Sequence, residues 1–369
     1  MNGPTILFAG GGSGGHISPA LAVAEAVAAI DPDASCLFAC SDRAIDREML
    51  RHADQTAIPL PARPPGLRPT QLLRFIRGFR ASRRAVRSII EQHHVDVLIL
   101  LGGFVAAPAA AAARAAGVPS MMVNLDRVPG RANRWMRPSA TTVLSAVTTV
   151  RPFAQHVTGM PIRRAAMPPG DAAHCRRQLE LDIDRPTLVI TGASQGAGTI
   201  NTLMPQFAAT HRELLAPWQI LHLAGPAAAA EASDQWKRAG LEATVLGFCH
   251  DMGVVWGSGD LMISRSGACS VAEIEYAGRP AIYLPYPHHR DQHQRHNAEP
   301  SAAAGAAIIV QDDANPASTA ARLLTLARGL FERSAALTTM QQAAAARSGH
   351  DAARDLARRG LALIGSRRH

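Results

Sequence analysis

The sequence predicts an α/β protein built from two parallel-sheet domains, and three observations carry that prediction. Apolar strands recur without the alternation of a half-exposed sheet. Helical stretches separate them. A strand followed by a glycine-rich turn opens each half of the chain. Continuous apolar strands linked by helices indicate parallel sheets covered on both faces.

In the first half a strand over residues 5–9 runs into the turn Gly10–Gly15, and a helical stretch follows over 19–30. Further strands fall at 34–40, 95–101, 120–123 and 141–144. The plan restarts after a linker at 161–169. A strand at 187–191 enters a second glycine turn at 192–198, and strands follow at 219–223, 244–246, 261–264, 281–284 and 307–310. The alanine-rich stretch 316–364 is helical with a break near Gly349, and Pro316 suits the first turn of a helix, where its missing N–H costs nothing. At 369 residues the chain has room for two such domains. The expected division is 1–162 and 163–349, with 350–369 packed back on the first domain. Ligands in such sheets bind beyond the carboxyl ends of the strands.

Composition narrows the function classes. A hydrophobic fraction of 47% with 18% charged residues is that of a globular chain rather than a disordered one. Aromatics at 4% favour close-packed helices over strand-rich sandwiches. No apolar run approaches the roughly 18–20 residues that span a bilayer. Five cysteines without a CxxC pair suit a reducing compartment, so a cytosolic protein is expected. Cys36 and Cys40 read as structural residues of a buried strand. The net charge of +9 rests on arginine, since Lys237 is the only lysine. That excludes a Walker-type P-loop and leaves little room for Schiff-base chemistry.

Glycines at Gly10, Gly12 and Gly15 allow positive φ and let backbone N–H groups approach an anion at a helix N-terminus. They also satisfy GxGxxG, but a dinucleotide site expects an acidic residue about 20 residues on. Asp42, beyond the second strand, is the nearest candidate and fits poorly. His16 begins the helix, where its charged form is disfavoured. It reads either as a neutral base or as a capping and packing histidine. The second turn, with Ser194 as a phosphate hydroxyl, gives each domain an anion-cradling loop. That pairing suits a transferase with a donor in one domain and an acceptor phosphate in the other.

The most informative stretch is 260–297. A strand ends in Arg265, then a helix begins near Ala268, so that Arg265 and the helix N–H groups would face a diphosphate. Glu273 follows on that helix with both oxygens free for a ribose diol. His293 and Gln294 supply groups suited to sugar hydroxyls. His289, His293 and His296 also mimic a metal cluster, but no carboxylate–histidine helix spacing supports one. Asp182 and Asp184 form a DxD in a solvated linker, and no metal is expected.

This pattern closely resembles the MurG family, the UDP-N-acetylglucosamine–N-acetylmuramyl-(pentapeptide) pyrophosphoryl-undecaprenol N-acetylglucosamine transferases. The shared segments are GGGSGGH with ISPALAVAEAV, GGFVAAPAA (102–110), PGRANRW (129–135), GMPIR (159–163), GASQGAGTIN (192–201), RSGA and DQHQRHNA. They run in order along nearly the whole chain. The resemblance implies the GT-B fold, two Rossmann-like domains with parallel sheets facing across a cleft. It implies a metal-independent inverting transfer of GlcNAc from UDP-GlcNAc to the 4-hydroxyl of lipid I, without a cofactor, on the cytoplasmic face of the inner membrane.

By the resemblance, Arg163 and the backbone near Phe248 hold uracil and Glu273 the ribose. Ser194, Arg265, Ala268 and Cys269 hold the diphosphate, and His293 and Gln294 the GlcNAc, with Asn201 nearby. His16 matches the candidate general base. Ser13 and Gly14 fall on positions serving donor and acceptor alike, and Gly15, Phe104, Asn124, Asp126 and Asn133 on acceptor-side positions. One departure stands out. Val123-Asn-Leu-Asp126 replaces the family's His-Glu-Gln-Asn, so either Asn124 or Asp126 takes over or the acceptor differs.

Between Arg63 and Arg87 lie eight arginines and no acidic residue. Leu72, Phe75, Ile76, Phe79, Val86 and Ile90 recur at helical spacing, with Arg74, Arg77, Arg80, Arg84 and Arg87 as a second stripe. Such a helix reads as a membrane-surface element or as a helix with a solvated arginine face. A lipid-linked acceptor favours contact with an anionic leaflet. Nucleic acid is disfavoured, because no aromatic stacking platform accompanies the charge. The rival functions are a UDP-GlcNAc 2-epimerase-like enzyme, a dinucleotide oxidoreductase and a sugar-nucleotide-binding protein without transfer.

Overall fold

The strands that the sequence marks as continuously apolar lie inside their sheets, flanked by helices. The computed structural model describes residues 3–12, 15–66, 68–192, 196–288 and 291–365. The chain divides into two units, Met1–Arg163 with Asp351–His369, and Arg164–His350.

In the first unit, β1 (Thr5–Gly10), β2 (Ser35–Cys40), β3 (Ala57–Pro59), β4 (Val97–Gly102), β5 (Ser120–Asn124), β6 (Thr142–Ser145) and β7 (His156–Val157) form one sheet in the order β3-β2-β1-β4-β5-β6-β7. Every pairing is parallel. The helices are α1 (Ile17–Ile30), α2 (Ala44–His52), α3 (Pro69–His93), α4 (Gly103–Ala116) and α5 (Arg131–Met136). Each of the six residues of β4 is buried, as expected for a central parallel strand. The two edge strands, β3 and β7, escape the sequence pattern because they hold three and two residues and carry no apolar run. The register between β1 and β4 shifts at Ala9 and Gly10, where the strand gives way to its glycine turn.

The second unit holds α6 (Ala172–Gln178), β8 (Thr187–Thr191), α7 (Gly198–Thr210), α8 (Arg212–Leu215), β9 (Gln219–Leu223), α9 (Ala229–Arg238), β10 (Ala243–Leu246) and α10 (Met252–Ser258). It continues with β11 (Leu261–Ser264), α11 (Ala268–Tyr276), β12 (Ala281–Tyr283), α12 (His293–Ala303), β13 (Ala307–Ile309), α13 (Pro316–Phe331) and α14 (Ala335–Ala345). The strands form a second parallel sheet in the order β10-β9-β8-β11-β12-β13. The core gathers three buried tryptophans, Trp218, Trp236 and Trp256, around apolar strand residues. The expected single helical break near Gly349 is joined by another at residues 332–334. There Arg333 adopts φ +56° and the Ser334 hydroxyl caps α14 by accepting from Ala336 N.

The last helix, α15 (Ala353–Gly365), packs on α1, β4 and β5 of the first unit. Gly360 makes that approach possible, because a Cβ there would stand 3.1 Å from Ile99 Cδ1. Asp351 fixes the entry of the helix. Its Oδ1 accepts from Ile162 N and from Ala353 N, both at 2.9 Å.

Helix α3 departs from a simple core-facing stripe. Val86, Ile89 and Ile90 are buried, and α3 packs on α4. Leu72, Leu73 and Ile76, in the N-terminal half, are 49%, 48% and 37% exposed. Phe79 packs on the exposed Trp135 with ring centroids 5.1 Å apart. Arg74, Arg77, Arg80, Arg83, Arg84 and Arg87 are all exposed around this apolar surface. Among the described residues no helix is long and apolar enough to cross a membrane.

Candidate active site

The candidate catalytic group of the first unit sits where three strand ends meet. His16 is the N-cap residue of α1, half-buried, at the end of the turn that follows β1. Its imidazole lies over the β4–α4 turn. A Cβ on Gly102 would stand 3.2 Å from both His16 Nε2 and Cδ2, and one on Gly103 3.5 Å from Cε1. Gly102 and Gly103 take φ +103° and +79°, which only glycine adopts cheaply. Burial holds the His16 pKa below its ordinary value, against the opposing fields of Asp126 and then Asp46. The resting imidazole is therefore neutral at physiological pH, with two carboxylates ready to stabilise it once protonated.

Asp46 was not singled out in the sequence, yet it organises this turn. Fully buried on α2, its Oδ2 accepts from Gly12 N at 2.8 Å and from Ser41 Oγ at 2.6 Å. The Arg43 guanidinium donates to Gly12 O. The Gly12 N–H is thus already given to a protein carboxylate. Asp42, the weak dinucleotide candidate, instead pairs with Arg63 at 2.7 Å. Phe104 packs against the turn, its ring edge 2.7 Å from where a Gly12 Cβ would be. Gly15 is half-buried. Ser13, Gly14 and Ser194, named from the sequence, lie outside the described residues.

Two acceptor-side expectations fall on buried, hydrogen-bonded amides. Asn124 is fully buried, and its amide donates to Asp126 O at 2.7 Å and Ser145 Oγ at 3.0 Å. Its Oδ1 accepts from Asn133 Nδ2 at 3.0 Å, and Asn133 is itself buried. These two side chains belong to one buried network beside the turn that carries His16. Of the Val123–Asp126 segment, Val123 is also buried, and Asp126 alone stays half-exposed beside His16.

In the second unit the expected donor residues follow the carboxyl ends of the strands. Phe248, after β10, is half-buried and packs edge-on to the His250 ring at 4.7 Å. Ala268 and Cys269 open α11, with Gly267 as its N-cap. His293 opens α12 and places Nδ1 2.8 Å from Asp291 Oδ1, while Gln294 Oε1 accepts from Tyr286 N at 2.9 Å. Arg163 is half-buried and is the last residue of the first unit.

Three donor-side expectations change on inspection. Glu273 does not keep both oxygens free, since Oε2 accepts from the buried Trp256 indole at 3.1 Å. Asn201 is buried and bonded to Ala224 O at 2.8 Å and to His222 Nε2 at 3.1 Å, so its amide is engaged within the unit's core. Arg265 is buried with its charge already matched. Nη1 lies 2.8 Å from Asp312 Oδ2 and donates to Leu284 O at 2.7 Å, and Nη2 donates to Thr199 Oγ1. A buried guanidinium requires such neutralisation. Asp312, Thr199 and Trp256 carried no signal in the sequence beyond lying next to strand ends or helix starts.

The comparisons agree with this architecture along the whole chain. Residues 6–145 match the glycosyltransferase family 28 N-terminal domain, and residues 187–356 match the family's C-terminal domain. A UDP-N-acetylglucosamine–N-acetylmuramyl-(pentapeptide) pyrophosphoryl-undecaprenol N-acetylglucosamine transferase from Clavibacter michiganensis subsp. michiganensis is 35% identical, over 95% of this chain and 94% of that protein. The chain belongs to the MurG family. A relative of the same name from Leifsonia xyli subsp. xyli is 35% identical over 96% of this chain and 98% of its own. The crystal structure of MurG from Acinetobacter baumannii superimposes with a TM-score of 0.72 at 24% identity, covering 98% and 99% of the two chains. The two parallel-sheet units thus form the GT-B fold of this family.

Proposed function

We propose that this MurG-family chain transfers N-acetylglucosamine from UDP-GlcNAc to the 4-hydroxyl of undecaprenyl-diphospho-MurNAc-pentapeptide, with inversion at the anomeric carbon. The observation that carries the reading is the end-to-end match to transferases of that name, through both halves of the molecule. In the proposed reaction, His16 takes the proton of the acceptor hydroxyl as its oxygen attacks the anomeric carbon and UDP departs. The neutral resting imidazole suits that task, and Asp126 and Asp46 favour the imidazolium that forms. The first turn of α11, at Ala268 and Cys269, meets the negative charge developing on the diphosphate, as helix N-termini do. Glu273, whose Oε2 accepts from the Trp256 indole, is the carboxylate assigned to the ribose in this reading. His293 and Gln294, at the start of α12, face the sugar.

The exposed apolar residues of α3, with Trp135 and the surrounding arginines, lie against the cytoplasmic leaflet in this reading. Apolar insertion together with anionic lipid attraction is the chemistry of an interfacial helix. Vesicles containing anionic lipid should retain the wild type, and Leu72→Ser with Ile76→Ser should weaken that retention.

The deciding assay is UDP release from UDP-GlcNAc, with and without a soluble lipid I analogue, in wild type and His16→Ala. Acceptor-dependent release that collapses in the variant is expected. Release of UDP-ManNAc without acceptor would replace the reading with an epimerase. Donor binding without acceptor-dependent release would mean that the Val123–Asp126 segment serves another acceptor.

A further inference from the structure

Asp312 is a buried carboxylate, 3% exposed, just beyond β13. Its Oδ2 accepts from Thr199 Oγ1 at 2.7 Å and lies 2.8 Å from Arg265 Nη1, while its Oδ1 accepts from Ala314 N at 2.8 Å. Arg265 closes the ring by donating from Nη2 to the same Thr199 hydroxyl. Its Nη1 also donates to Leu284 O at 2.7 Å and Pro285 O at 3.2 Å, just past β12. One carboxylate therefore ties together the chain ends beyond four strands, β8, β11, β12 and β13.

Two of those attachments matter for anion chemistry. Thr199 is the second residue of α7, the helix that follows the second glycine turn. Arg265 precedes the start of α11 by three residues. Backbone N–H groups at a helix start bind phosphate only if the helix ends are held in a fixed relation. The guanidinium has few donors left, and its buried Nε finds no partner among the described residues. Burial lowers the Arg265 pKa, and the Asp312 hydrogen bond and charge oppose the fall. The ring therefore works as a brace between the two helix starts rather than as a free cation.

We infer that Asp312, acting through Thr199 and Arg265, is a positioning residue that holds the starts of α7 and α11 in register for the donor diphosphate. The inference rests on the proposed role of this unit in binding UDP-GlcNAc. Its signature is selectivity, because misaligned helix starts weaken the hold on phosphate far more than the hold on the nucleoside. Asp312→Asn removes the charge, and Thr199→Val removes the bridging hydroxyl at constant shape while leaving the ion pair.

The test titrates UDP and uridine by NMR against wild type and both variants, with transfer kinetics and thermal unfolding alongside. Expected is a weakening of UDP binding by about tenfold or more in Asp312→Asn and several-fold in Thr199→Val, with a much smaller loss for uridine. KM for UDP-GlcNAc should rise while KM for the acceptor stays put. Equal losses for UDP and uridine, or no loss in Thr199→Val, would overturn the inference while leaving the donor assignment intact. A wild type that binds neither ligand would overturn both. Should Asp312→Asn fail to fold, Thr199→Val decides the matter alone.

Discussion

Gly102→Ala is the sharpest probe of how the fold holds His16. Gly102 ends β4 with φ +103° and ψ −171°, a region essentially confined to glycine. Placing alanine there costs about 1–3 kcal/mol of backbone strain. The new methyl would also stand 3.0 Å from Asn133 Oδ1 and 3.2 Å from the His16 ring. Asn133 is held by its 3.0 Å bond to the buried Asn124, so the imidazole is the group that yields. At about 2–4 °C per kcal/mol for a unit of this size, the melting temperature should fall by roughly 2–12 °C. A catalytic group displaced by up to an ångström loses up to about 10²-fold in rate.

Gly117→Ala supplies the control. Gly117 caps α4 with φ +65°, but a Cβ there meets nothing within 4 Å. It should lose about 1–2 kcal/mol of stability and keep its turnover. The two variants are compared by thermal unfolding and by acceptor-dependent UDP release. If Gly102→Ala keeps its kcat while melting lower, His16 is not constrained by the β4–α4 turn and the reasoning fails. If Gly117→Ala loses activity in the same proportion as Gly102→Ala, general destabilisation explains both.

Three further expectations follow from buried ionisable groups. The acid limb of kcat/KM should lie below the ordinary histidine value, since burial depresses the His16 pKa. Asp126→Asn should move that limb further down than Asp46→Asn, because both carboxylates raise the pKa and Asp126 does so more; a limb that rises in either variant would contradict the assignment. His222 has its pKa lowered to about 4 by burial, with Trp236 Nε1 donating to its Nδ1. The unfolded chain takes up that proton first, so about 3 kcal/mol of stability, complete above pH ~6.5, drains away as the pH falls toward 4. Urea unfolding followed by tryptophan fluorescence should show this loss in the wild type and less of it in His222→Gln. The Cys40 thiol is pushed up to about 12 and Cys36 to about 11, both first by burial. Iodoacetamide at pH 8 should therefore mark Cys249 and Cys269 well before Cys40, as read by mass spectrometry.

The sequence exposed what depends on periodicity and concealed what depends on partners. Strands such as Thr187–Thr191 were legible because a parallel strand between helices must be apolar at every position. The edge strands β3 and β7 were not, because a partly solvated pairing of two or three residues imposes no pattern. Asn124, Asn133 and Asn201 read as ligand contacts because the family resemblance places them on donor- and acceptor-side positions. Their amides instead close buried networks whose other halves, Ser145 and His222, lie 21 residues further along the chain. Asp46 and Asp312 were missed for the complementary reason. A lone aspartate in sequence looks solvated, and only the fold shows Gly12 N or Arg265 waiting for it. Glu273 was read as having two open oxygens because Trp256, its indole donor, precedes it by 17 residues on another helix.

Those two aspartates explain how one local motif can serve two chemistries. In each unit a strand ends in a glycine-rich turn and a helix begins, and in each a fully or nearly buried carboxylate anchors the surrounding structure. In the first unit Asp46 takes the Gly12 N–H, so the turn's nearest anion is the protein's own. A second carboxylate, Asp126, adds to the negative field at His16. Both carboxylates favour proton uptake by His16, as the proposed general-base role requires. In the second unit Asp312 is cancelled by Arg265, and the pair presents no net charge. What remains to attract an anion there is the dipole of the helix starts, whose alignment the neutral pair secures. In the proposed reading, the two sites differ in what their buried aspartates hold, a backbone N–H and a serine hydroxyl at Asp46 and the Arg265 guanidinium at Asp312, and not in the glycines that both turns share.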